Sequence, residues 1–317
     1  MKPAFSIIFF TVSSGAGLGL LAMVALADVL AGDGAAPQTL WRGALLGLVL
    51  VAAGLASSVL HLANPKNAWR AFSRFRSSWL SREAVLAAAL FPAAALYILL
   101  LVQGRTGAGR ALLAIVTLAL AWAVLGCTAM IYASLKPIRQ WHTLWTPVNY
   151  FLLGHWSGAL LLCAFASAQA TVPAPLLLVA GALGVASLAA KLIYWYAIGR
   201  SAPTTLEQAI GVEQGVRGPG APSVARARLL DVGHSRGTFL TDEFGFVLAR
   251  EHATTLRALA VVLAFGVPLP WLLVGMSQWR AALVPAACCI IGLLVERWLF
   301  FAEARHTVRL YHGDPRT

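Results

Sequence analysis

Eight continuously apolar runs recur along the chain, at about 5–30, 43–62, 84–102, 111–134, 148–168, 173–198, 256–276 and 281–301. Each is close to the roughly 20 helical residues that cross a hydrocarbon layer of about 30 Å. The runs do not alternate apolar with polar positions as barrel strands of about ten residues do. The pattern therefore predicts an all-α membrane protein, an eight-transmembrane-helix bundle, with 1–317 as one membrane domain. The first run follows Lys2 and exceeds the ~7–15 residues of a signal-peptide core, so it is read as the first span. Within it, GAGLG at 15–19 lets helices approach closely. No strand pattern precedes it, so it does not read as a nucleotide loop. Pro268 and Pro270 are placed to interrupt the seventh span.

Composition agrees: 59% of residues are hydrophobic and 11% charged, against about 25% charged in an average soluble domain. The net charge of +12 comes without a zinc-finger spacing, basic helix or RNA-binding signature, so no nucleic-acid partner is expected. The cations instead report topology. With an even number of spans both termini share one face, here called side A. Of 24 Lys and Arg, 17 fall on side A and 4 on side B. The positive-inside rule then puts both termini of this multi-pass chain in the cytoplasm. The cysteines Cys127, Cys163, Cys288 and Cys289 all lie in apolar runs and read as packing thiols. The segment 199–255 is longer than a helix connection requires. Its GVRGPGAPS part reads as a solvated loop, and DVGHSRGTFLTDEFGFVLAREH as a docking segment for a soluble partner on side A.

Ionisable groups inside spans are costly and mark candidate function. Here they are Asp28, His61, Glu83, His155, Lys191, Arg257, Glu296 and Arg297, all but Asp28 in the side A halves of their spans. Snorkelling to the interface is an alternative for Lys191, Arg257 and Arg297. His61 ends the second run, which Pro65 stops from continuing. Glu83 opens the third, where a carboxylate also complements the helix dipole. Between them lies a basic hinge. Quinone chemistry needs an apolar slot, a hydrogen-bond donor at each carbonyl and a proton route. His61 can donate and accept, Glu83 can relay a proton, and Lys66 or Arg297 can stabilise an anionic ring. Trp69, Trp79, Trp141, Trp145 and Tyr150 supply aromatic surface, though an interfacial belt alone explains most tryptophans at span ends. A haem would want paired axial histidines, and His61 and His155 could pair only if the second and fifth helices were adjacent; no haem is expected. A transporter, the reading from another class, would want polar groups and broken helices near the midplane.

The stretch SVLHLANPKNAWRAFSRFRSSWLSREAV resembles the membrane-anchor subunit of the dimethyl sulfoxide reductase family, in which His-Leu-small-x-Pro follows the second helix and Ser-x-Glu opens the third. WHTLWTPVNYFLLGHWSG and ERWLFF resemble that family's fourth loop with its fifth helix, and its last helix. The resemblance implies a haem-free anchor that exchanges electrons between the quinone pool, ubiquinone or menaquinone, and an iron-sulfur subunit. That subunit feeds a molybdopterin catalytic subunit, which holds molybdenum-pterin. The family histidine and glutamate fall on His61 and Glu83. The longer 199–255 segment and tail imply a different partner surface. With side A cytoplasmic, the resemblance favours the anchor of a cytoplasmic sulfite dehydrogenase, which turns sulfite to sulfate and reduces quinone. The alternatives are an anchor of a dimethyl sulfoxide reductase-type complex oxidising quinol, and an anchor with no quinone site.

Overall fold

The computed structural model describes residues 3–32, 36–59, 65–169, 172–200, 205, 252–274, 279–307 and 310. Among them eight helices are long and apolar enough to cross a membrane. They are α1 (Phe5–Ala31), α2 (Pro37–Val59), α3 (Trp79–Val102), α4 (Ala108–Ala133), α5 (Trp145–Ser167), α6 (Ala174–Arg200), α7 (Ala253–Val274) and α8 (Trp279–Ala302). A 3-10 helix, Pro65–Arg74, precedes α3. Six helices, α2, α3, α4, α5, α7 and α8, start earlier than their apolar runs. Pro37 suits a first helical position, and Ser78 caps α3 by accepting from the Ser81 amide at 3.4 Å. Trp145 opens α5 ahead of the polar Asn149, whose amide donates to the Trp145 carbonyl at 2.7 Å.

Helix α1 is the axis of the bundle. It is apolar on all sides, as a fully enclosed helix must be, and is buried without a break from Thr11 to Ala25. It packs on α2, α4, α5 and α8. Association in lipid depends on close van der Waals contact and not on the hydrophobic effect, and GAGLG supplies that contact on two sides. A Cβ on Gly19 would lie 1.9 Å from the Gly154 carbonyl oxygen of α5, and one on Gly17 would lie 2.6 Å from that of Gly47 on α2. Ser13 Oγ donates to the Leu50 carbonyl at 2.8 Å, adding a polar tie between α1 and α2.

Asp28, the ionisable residue in the side B half, ties three helices. It accepts from the Tyr97 hydroxyl of α3 at 2.9 Å and pairs with Arg110 of α4 at 3.1 Å. Helix α7 is interrupted, as its prolines predict, by a π-turn over Val262–Gly266. Pro268 has no amide to offer the Ala264 carbonyl one turn back. The Trp156 indole of α5 donates there instead, at 2.9 Å, and its ring stacks on Phe265. The break is thus filled by packing.

Several contacts gather the membrane-exit points on one face. Ser57 Oγ donates to the Ser6 carbonyl at 3.0 Å, Ile138 bridges His306, and Arg257 pairs with Glu303 at 2.6 Å. The start of α1, the end of α2, the α4–α5 turn, the start of α7 and the end of α8 therefore share side A. The docking role expected of 199–255 falls mainly on residues outside those described.

Candidate functional site

Glu83 is the fifth residue of α3, about 6 Å below its start at a rise of about 1.5 Å per residue. It does not act as a solvated anion at the helix start, because α3 begins four residues earlier and turns this side chain inward. Glu83 is 3% exposed and accepts a hydrogen bond from the Thr128 hydroxyl of α4. The same hydroxyl reaches the Val124 carbonyl at 3.0 Å. A hydroxyl has one proton to donate and lone pairs to accept with. Thr128 can therefore donate to ionised Glu83, or accept from protonated Glu83 while donating to Val124. Both protonation states of the carboxyl keep a partner.

One turn along α4, Tyr132 stacks on Tyr150 of α5, with ring centroids 5.8 Å apart. Trp141, Phe300 and Phe301 close around Tyr132. Beyond Tyr150 the Arg297 guanidinium lies 4.0 Å from the ring centroid. Thr128 and Tyr132 are one turn apart on α4 and Arg297 covers Tyr150, so the Glu83 carboxyl and the Arg297 guanidinium lie toward opposite ends of the tyrosine pair. Arg297 also pairs with Glu296 at 3.4 Å, and Glu296 pairs with Lys191 of α6. Lys191 is 1% exposed and packs against the rings of Tyr194 and Trp195. Neither Lys191 nor Arg297 snorkels. Arg257 does so in part, with its side chain 31% exposed where it meets Glu303. Just past the end of α8, burial raises the Glu303 carboxyl above its usual range against the pull of Arg257. The Tyr150 hydroxyl is buried without a hydrogen-bond partner.

Residues 1–302 match the family described as DMSO reductase anchor subunit (DmsC). The chain belongs to this family. It is 36% identical to the C subunit of the sulfite dehydrogenase of Allochromatium vinosum, over 98% of this chain and 99% of that one. It is 30% identical to the C subunit of the anaerobic dimethyl sulfoxide reductase of Escherichia coli strain K12, over 49% of this chain and 55% of that one. As a member, the chain is a multi-pass membrane anchor subunit, a family that implies catalytic and iron-sulfur partner subunits in a membrane-bound oxidoreductase complex.

In this anchor two of the remaining expected site residues, Lys66 and Trp69, sit apart from the buried cluster. Lys66 and Trp69 lie on the 3-10 helix at the side A surface, both exposed. Trp145 is half-buried at the start of α5. His61 falls among residues 60–64, outside those described. Both nitrogens of His155 are engaged: Nε2 accepts from the Trp122 indole at 2.9 Å, and Nδ1 donates to the Phe151 carbonyl at 2.7 Å. That bonding makes His155 a packing group between α4 and α5. Among the described residues no three His, Cys, Asp or Glu side chains converge as a metal site requires. Thr128, Tyr132 and the pairing of Lys191 with Glu296 escaped sequence reading. The pairing left one trace, opposite charges in the side A halves of α6 and α8; Thr128 left none, because a threonine in a span usually bonds its own helix.

Proposed function

We propose that this anchor binds a quinone just beneath side A and passes electrons between it and the iron-sulfur subunit of a molybdopterin complex. The observation that carries the reading is the buried Glu83–Thr128 pair, held across a tyrosine stack from Arg297. A titratable carboxyl with a partner in both protonation states suits proton delivery to a reduced ring. A buried guanidinium suits the negative charge that develops there. The residues present fit a quinone: Tyr150 offers a buried, unpartnered hydroxyl, and intramembrane charges collect on one face as a proton-linked site requires. A quinone supplies two-electron acceptance coupled to uptake of two protons. Glu83 holds one of these at its carboxyl, and His61, by the family likeness, serves the second carbonyl.

The finer reading is the anchor of a cytoplasmic sulfite dehydrogenase. Sulfite and water give sulfate, two protons and two electrons in the partner subunits, and those electrons reduce the quinone here. Support comes from the likeness to the sulfite dehydrogenase relative along nearly the whole chain and from the excess of cations on side A. The likeness to the anaerobic dimethyl sulfoxide reductase relative favours a second reading, quinol oxidation toward an S-oxide. Purification of the native complex separates them. A molybdenum subunit, an iron-sulfur subunit and sulfite-dependent quinone reduction are expected. The same partners without sulfite activity would move the reading to the S-oxide, and absence of redox partners would overturn both.

A further inference from the structure

At side A the helices α1, α7 and α8 leave a groove of about 800 Å³, within the ~300–1,000 Å³ typical of ligand sites. Phe5, Ile8 and Phe9 of α1, Leu256 of α7, and Leu294 and Trp298 of α8 line it. Its surface is almost wholly apolar, and Phe5 and Phe9 are exposed along its edge. Toward the bundle interior the same α1 and α8, now with α5, frame a second, polar gap bordered by Thr11, Tyr150, Ser157 and Arg297. One helical turn separates Ile8 from Thr11 and Leu294 from Arg297, so the groove and the gap are neighbours on α1 and α8. The gap measures about 10 Å³, room for a single oxygen-sized atom. The unpartnered Tyr150 hydroxyl, on a residue 2% exposed, borders it.

We infer that the α1–α7–α8 groove is the lateral port of the quinone site, holding the isoprenoid tail while one ring carbonyl enters the gap beside Tyr150 and Arg297. This rests on the quinone reading above. The order of polarity selects the occupant. A phospholipid carries its charge at the interface and its apolar chains inward. Here the lining is almost wholly apolar, with His252 and Thr255 only at its side A end, and the donors Tyr150 and Arg297 lie toward the bundle interior, which matches a polar ring led in ahead of an apolar tail. The hydroxyl and the guanidinium are then donors to a carbonyl oxygen, and Tyr150 gains the partner it lacks.

The test uses the native complex with Ile8→Trp and, separately, Leu294→Trp, each narrowing the groove. The readout is kcat/KM for a long-tailed quinone divided by that for a tailless benzoquinone. A fall of about tenfold in this ratio is expected, carried by KM for the long-tailed substrate. An unchanged ratio overturns the port, including the case in which the groove holds only lipid. If neither variant assembles, a photoreactive long-tailed quinone on the wild-type complex decides: label on α1, α7 or α8 peptides supports the port, and label elsewhere overturns it. A wild-type complex that turns over no quinone at all would defeat the parent reading. Wild-type turnover with an unchanged ratio defeats the port alone.

Discussion

At the scale of single residues, the buried charges do not balance around Glu296. Lys191 and Arg297 bring two positive charges to the one carboxylate of Glu296, and Glu83 stands beyond the tyrosine pair. Removing one partner of a buried ion pair costs about 3–5 kcal/mol, because the other charge is left uncompensated. Glu296→Gln leaves two cations facing each other and should cost in that range. Lys191→Met leaves Glu296 with Arg297 and should cost less. Thermal unfolding of the two variants in detergent checks the order, and equal losses would contradict the charge account. The ionisable residues were legible in the sequence because charges are rare in apolar runs. Their partners were not, because pairing depends on the rotation of each helix about its axis, which an all-round apolar pattern leaves open.

At the scale of elements, the spans were legible and their ends were not. The residues at the α2, α3 and α5 starts, such as Trp79 and Trp145, serve as readily in an interfacial loop as in a first helical turn. The close packing of α1 was legible in GAGLG, although its use on two faces at once was not. Gly19→Ala sets a Cβ against the Gly154 carbonyl oxygen at 1.9 Å, so α1 and α5 must part. Overpacking typically costs about 1–3 kcal/mol, and a contact with backbone belongs at the upper end. The variant should unfold at a clearly lower temperature; wild-type stability would show that the two helices are not in contact.

The tail beyond α8 offers a pH-dependent element. Burial lowers the His306 imidazole below its ordinary value. The docked tail therefore favours the neutral ring, and the free tail, with a pKa of about 6.5, takes up protons first. Docking is at full strength above about pH 6.5 and weakens as pH falls through that value toward the lower docked one. The Thr307 amide, bonded to the Pro137 carbonyl at 3.1 Å, reports it. Its hydrogen-exchange protection, corrected for intrinsic rates, should drop between about pH 7.5 and 5.5 in the wild type. It should stay level in His306→Asn. Equal protection of the wild type at both values would remove the imidazole from the docking energetics.

At the scale of the molecule, the buried ionisable cluster and the excess of cations share one face. The cluster from Glu83 to Glu303 lies on side A, and Asp28 with Arg110 and Tyr97 clamps the opposite end. The excess of cations on side A predicts that reporter fusions at either terminus read as cytoplasmic; a periplasmic result would reverse the orientation and remove the basis for a cytoplasmic catalytic subunit.

The central claim is that Glu83 serves quinone chemistry and does not merely pack α3 on α4. The most direct measurement compares wild-type and Glu83→Gln complexes in quinone turnover and, in parallel, in reduction of an artificial dye. The amide keeps the shape of the carboxyl and a partner in Thr128 but cannot carry the proton. Loss of a positioned acid or base typically costs about 10²–10⁴-fold. Quinone turnover should fall about a hundredfold while assembly and dye activity hold. Quinone turnover at the wild-type rate would contradict the account.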